Sequence, residues 1–92
     1  EAQFRQIWQL VCAARRVEHD ERGVDYLIQK WYRPFNRPFR MCQPRDILDQ
    51  MMSIAKYNME RVNFSPDLVD AAAHTYFLTA DKKDFGAKVQ LH

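Results

Sequence analysis

Apolar side chains recur along this chain at helical spacing, not at the alternating spacing of strands. Phe4, Ile7, Trp8, Val11 and Cys12 stand at i, i+3, i+4, i+7 and i+8, which is one stripe of a helix. The spacing predicts a first helix from Ala2 to Arg16, closed by Arg15 and Arg16, cations that suit the negative end of the helix dipole. Asp20 is placed to cap a second helix over Glu21 to Tyr32, whose stripe is Val24, Leu27, Ile28, Trp31 and Tyr32. Pro34 is expected to end that helix, because the residue before a proline avoids the α region. Arg33 to Gln43 then reads as an irregular loop anchored by Phe35 and Phe39. Pro44 opens a third helix, ending near Asn58, with Ile47, Leu48, Met51, Met52 and Ala55 on its inner face. Ser65-Pro66-Asp67 is a serine cap, a first-turn proline and a first-turn acid. It starts a fourth helix facing inward through Leu68, Val69, Ala72, Ala73, Tyr76 and Phe77. Four amphipathic helices and no required strand predict an all-α fold, a small bundle of about four helices. The domain is expected over residues 1–78. A charged tail over 79–92 is expected to be loosely ordered, with Phe85 and Val89 as its docking residues.

Composition narrows the function. At 92 residues and 47% apolar content the chain fits one globular domain. Its two glycines, Gly23 and Gly86, lie too far apart for a phosphate-cradling G-x-x-x-x-G-K-[ST] loop or a dinucleotide-binding G-x-G-x-x-G. A net charge of +2 is small for a nucleic-acid binder. His19, His74, His92, Cys12 and Cys42 show none of the short spacings of zinc sites. The two cysteines read as reduced thiols of a cytoplasmic protein. Asp46 and Asp49 read as acids near a helix start, and Met51, Met52 and Met59, with Trp8 and Trp31, as core packing. No apolar run is long enough to span a membrane, and no signal peptide stands at the start. A beginning at Glu1 suggests a processed chain or an excised fragment. A soluble domain without a complete catalytic site is the expectation.

One segment asks for more than packing. Arg33 to Arg45 reads RPFNRPFRMCQPR and places Arg33, Arg37, Arg40 and Arg45 among phenylalanines. Arg45 falls in the first turn of the third helix, where backbone N–H groups and the dipole favour an anion. Its guanidinium offers forked donors suited to phosphate. An arginine there opposes the dipole at a cost of a few tenths of a kcal/mol or so when exposed, a placement that a function would explain.

The helix order, and Cys42-Gln43-Pro44-Arg45-Asp46-Ile47-Leu48 at the third helix, resemble the C-terminal helical lid of AAA+ ATPases, especially bacterial chaperone-like ones. Arg37 to Asp46, and Ala73 with Tyr76-Phe77, carry the likeness, which extends over about Phe4 to Phe77. Cys42 stands where that family usually has glycine, and the loop before it is longer and richer in arginine. The resemblance implies that Arg45 is the sensor 2 arginine directed at the γ-phosphate of ATP, with Gln43 in the asparagine-like place. It implies an upstream P-loop domain holding ATP and Mg2+, and neighbouring subunits in a ring. Arg33, Arg37, Arg40 and Gln43 are then candidate anion or subunit contacts. In that account the chain hydrolyses nothing alone, and membrane and nucleic acid are not partners. The alternative is a helical nucleic-acid-binding or protein-interaction module. Asp46 and Asp49, on the helix that would read a groove, weigh against nucleic acid.

Overall fold

The computed structural model describes residues 1–90, with side chains through residue 78. Four helices, α1 (Ala2–Ala14), α2 (Glu21–Leu27), α3 (Gln43–Tyr57) and α4 (Pro66–Gln90), build it, and no strand occurs among the described residues. α3 packs along α4, α1 against α3, and α2 against α4. The fold is all-α, as the periodicity requires. The expectation for the tail after Leu78, including docking by Phe85 and Val89, lies outside the described side chains.

The caps follow local chemistry. The Asp20 carboxylate accepts from the Arg22 amide at 3.0 Å, and the Ser65 hydroxyl accepts from the Leu68 amide at 3.3 Å. Each satisfies one of the amide donors that a helix start leaves without an intrahelical partner. Three other turns end in a left-handed residue: Arg16, Asn36 and Met59, at φ 57°, 51° and 58°. Each reproduces the paired Schellman bonds. After α1, for example, Val17 N–H donates to the Cys12 carbonyl at 2.8 Å and Arg16 N–H to that of Ala13 at 3.2 Å. None of the three is a glycine.

The chain does not stop at Pro34. Arg33 adopts right-handed helical angles (φ −61°, ψ −46°) despite preceding a proline. α2 instead widens into a single π-turn, Ile28–Tyr32, and tightens into a 3₁₀ turn, Arg33–Phe35, that includes Pro34. Proline has no N–H for the Lys30 carbonyl, and its ring would press on that carbonyl in a regular α-turn. The wider turn relieves both conflicts. The segment expected as an irregular loop therefore begins helically and turns only at Asn36.

Phe4, Trp8, Val24, Ile28, Ile47, Leu48 and Met51 are completely buried at the centre of the bundle. Burying each such side chain contributes about 1.5–3 kcal/mol. Phe4 meets the edge of Tyr32 at 5.2 Å between ring centroids, and Phe39 stacks on Tyr32 at 4.9 Å. Phe39 is thus an anchor, as expected, whereas Phe35 is 59% exposed. The turn at Asn36 carries Phe35 outward. Met59 is likewise no core residue, being 93% exposed beyond the end of α3.

Candidate functional site

The arginine-rich segment leads into α3, and the start of α3 is fixed from inside. Gln43, its first residue, is 93% buried beside the buried Pro44. The Gln43 side-chain oxygen accepts from the Tyr32 hydroxyl at 2.8 Å and from the Arg40 amide at 3.2 Å. The Gln43 amide in turn donates to the Arg40 carbonyl at 3.1 Å. These reciprocal bonds close the turn Arg40–Gln43 in both directions, as a capping box does. The observed contacts of the Gln43 oxygen are internal. Burial pushes the Tyr32 phenol well above the ordinary tyrosine value, so it remains a neutral donor.

Two positions beyond Gln43, the third residue of α3 is Arg45. Its side chain is exposed, and its Nε donates to the neighbouring Asp46 carboxylate at 3.3 Å. Arg40 is exposed as well. Both guanidiniums lie close enough to the Tyr76 phenol to act on it, together with Cys42 and Asp46. Burial is the chief cause that raises the Tyr76 pKa; the Cys42 and Asp46 charges add to it and the two arginines oppose it. Arg40 and Arg45 are thus both exposed at the entry to α3, and Tyr76 on α4 is half-buried. Sequence reasoning placed Tyr76 on the inner face of α4 and among the residues that carry the family likeness, not beside the arginines.

The other two arginines go elsewhere. Arg33 pairs with Glu1 at 2.8 Å, tying the 3₁₀ turn to the start of α1. Arg37 lies 4.0 Å above the centre of the Phe77 ring and 5.1 Å from that of Phe35. A guanidinium on an aromatic face is attracted by the ring quadrupole, so Arg37 caps the aromatic core. Asp49 is engaged by Arg15, linking α3 to the C-terminal end of α1.

A polar cluster on the far side of α4 had no sequence signal. Asp70 accepts from the Tyr26 hydroxyl at 2.7 Å, Lys30 Nζ at 2.8 Å and Trp31 Nε1 at 2.9 Å. Its donors lie 39 to 44 positions away in the chain. Burial pushes the Asp70 carboxyl upward, but the bonds from Lys30, Trp31 and Tyr26 together outweigh it and hold it below the usual carboxylate value. Trp31 is consequently half-buried, unlike Trp8.

Among the described residues no group of three or more histidines, cysteines or acids is placed to hold a metal ion. Cys12 and Cys42 are free thiols; Cys12 is buried, which pushes its pKa up to about 11, and Cys42 is exposed. Among the described residues no helix is long and apolar enough to cross a membrane. No curated protein and no solved structure matches the chain. Residues 1–75 match the model of a domain of unknown function, DUF8689, and the chain belongs to that family.

Proposed function

We propose that this member of the family is the helical lid of an AAA+ ATPase, closing over nucleotide bound by a separate P-loop domain. The observation that carries the reading is Arg45, an exposed guanidinium in the first turn of a helix whose two preceding positions are buried. A cation there opposes the helix dipole, yet with the exposed Arg40 at the turn before it, it offers donors suited to a polyanion. The residues fit such a group: forked donors stand exposed, and the nearest acid, Asp46, offers only a 3.3 Å contact that an incoming phosphate would compete with.

The upstream domain would hold ATP and Mg2+, the substrate of the parent enzyme. From this chain Arg45 would donate to the γ-phosphate, and Arg40 would serve a second phosphate oxygen or a neighbouring subunit of a ring. Hydrolysis would remove the anion that Arg45 holds, so the lid would reopen and couple turnover to motion. A cytoplasmic setting goes with this reading, as do two unpaired cysteines.

The test begins in the coding region upstream of Glu1, which should encode a G-x-x-x-x-G-K-[ST] loop and an acidic Walker B strand. In that longer protein Arg45→Ala should slow ATP turnover by about tenfold to a hundredfold, the worth of one charged hydrogen bond. Unchanged turnover, an unrelated upstream domain, or capture of DNA that weakens steeply with salt would overturn the reading.

A further inference from the structure

The turn that leads into α3 is held from within by one side-chain oxygen, that of Gln43. Gln43 and Tyr32 are nearly completely buried, so their 2.8 Å bond is shielded from competing water. The same oxygen also receives the Arg40 amide, and the Gln43 backbone returns a bond to the Arg40 carbonyl. Arg40 is thus tied directly to this oxygen, and Arg45 sits two residues beyond it on a helix whose entry Pro44 makes stiff. Tyr32 cannot swing away. Its ring is stacked on Phe39 at 4.9 Å and meets the edges of Phe4 and Phe77 at 5.2 and 5.5 Å. Tyr32 is the last residue of the π-turn Ile28–Tyr32, whose wider winding changes the register of the second helix at its end.

We propose that Tyr32 and Gln43 are positioning residues that set the aim of Arg45 and Arg40 toward bound phosphate, a role that rests on the lid reading. Neither touches the ligand. The arrangement links the aromatic core of the lid to its anion-facing edge through a buried donor, a shared acceptor and the backbone of a closed turn. A small displacement of the turn moves the Arg45 guanidinium, at the end of a long side chain, by more. Positioning errors of that kind act on rate more than on binding.

The test compares Tyr32→Phe, Arg45→Ala and the double variant in the ATPase polypeptide that carries this domain. Tyr32→Phe keeps the ring and removes only the donor. It should lower kcat by about three- to tenfold with KM for ATP little changed, the effect of one lost hydrogen bond. In the Arg45→Ala background the same change should have almost no further effect, since residues acting through one another are not additive. Gln43→Glu, which keeps an acceptor oxygen, should retain more activity than Gln43→Leu. Hydrogen exchange should also quicken at the Arg40 amide in Tyr32→Phe, independently of any ATPase reading. A Tyr32→Phe loss that simply adds to that of Arg45→Ala, or an unchanged kcat with Arg45→Ala still impaired, would overturn the positioning role alone. An Arg45→Ala protein with normal turnover would overturn the lid reading itself.

Discussion

Met59 stands 93% exposed at φ 58°, one residue past the cap of α3. A left-handed backbone costs a side-chain-bearing residue about 1–2 kcal/mol, and glycine nothing. The paired bonds of the turn, Met59 N–H to the Lys56 carbonyl and Glu60 N–H to that of Ala55, need no side chain at all. Met59→Gly should therefore raise stability by about 0.5–1 kcal/mol, once glycine's extra freedom in the unfolded chain is subtracted. Thermal unfolding checks it, and a lower midpoint would show that the methionine makes contacts of its own. Gly23 presents the opposite case. It lies within α2, where alanine is the better helix former by about 1 kcal/mol. Yet a Cβ there would collide with the Cβ of Phe64, with the ring at 2.7 Å. Gly23→Ala should destabilise by about 1–3 kcal/mol as the helix is forced off Phe64. A stabilised variant would mean that the connection before α4 yields freely.

At the scale of elements, the joint between the second and fourth helices depends on one carboxylate. Tyr26 on α2 and Lys30 and Trp31 on the π-turn all donate to Asp70 on α4. The bonds favour the ionised form, so the folded-state pKa lies below the unfolded one. The stability this gives is fully present above the ordinary aspartate value of about 3.9 and is lost as pH falls through the lower folded value. Asp70→Asn should accordingly be less stable near neutral pH and lose less stability on acidification below about pH 4. Unfolding midpoints at neutral and acid pH decide it, and parallel losses in the two proteins would remove Asp70 from the acid response. This joint also marks where the sequence is legible and where it is not. Period and caps reveal α1, α3 and the starts of α2 and α4, because Phe4, Trp8, Ile47, Leu48, Asp20 and Ser65 act through neighbours a turn away. The π-turn is hidden, because Pro34 signals a helix end and the structure meets its demand by widening the preceding turn. Asp70 and Gln43 are hidden for another reason. Asp70 carries no local signal, and the Tyr32 hydroxyl that engages Gln43 comes from the second helix, which spacing alone does not bring to it. The arginine segment was legible as a feature, but only packing divides it into Arg33 on Glu1, Arg37 over Phe77, and the exposed pair Arg40 and Arg45.

Across the whole molecule, the residues that hold the fold and the residues that face outward at α3 are separate sets joined at Gln43. Trp8 is completely buried, with its ring 6.5 Å from Phe4 and 5.6 Å from Phe64. Removing it should cost about 3–5 kcal/mol, part transfer and part cavity. A domain of this length has a total stability of about 5–14 kcal/mol, so Trp8→Ala should sit near or below the threshold of folding. Arg45 presents the contrary expectation. Exposed, and paired among the described residues with the adjacent Asp46, it contributes little to the fold. Arg45→Ala should leave stability within about 0.5 kcal/mol of the parent and even raise it slightly by relieving the opposition to the dipole. Denaturant unfolding of both variants, followed by helical signal, compares them directly. A marginal Trp8→Ala domain beside an unperturbed Arg45→Ala domain is the expected outcome, and it makes any loss of ATP turnover in Arg45→Ala a test of the proposed anion contact rather than of folding. Should Arg45→Ala destabilise by more than about 1 kcal/mol, its guanidinium is bonding within the bundle, and its placement at the helix start is explained by folding instead.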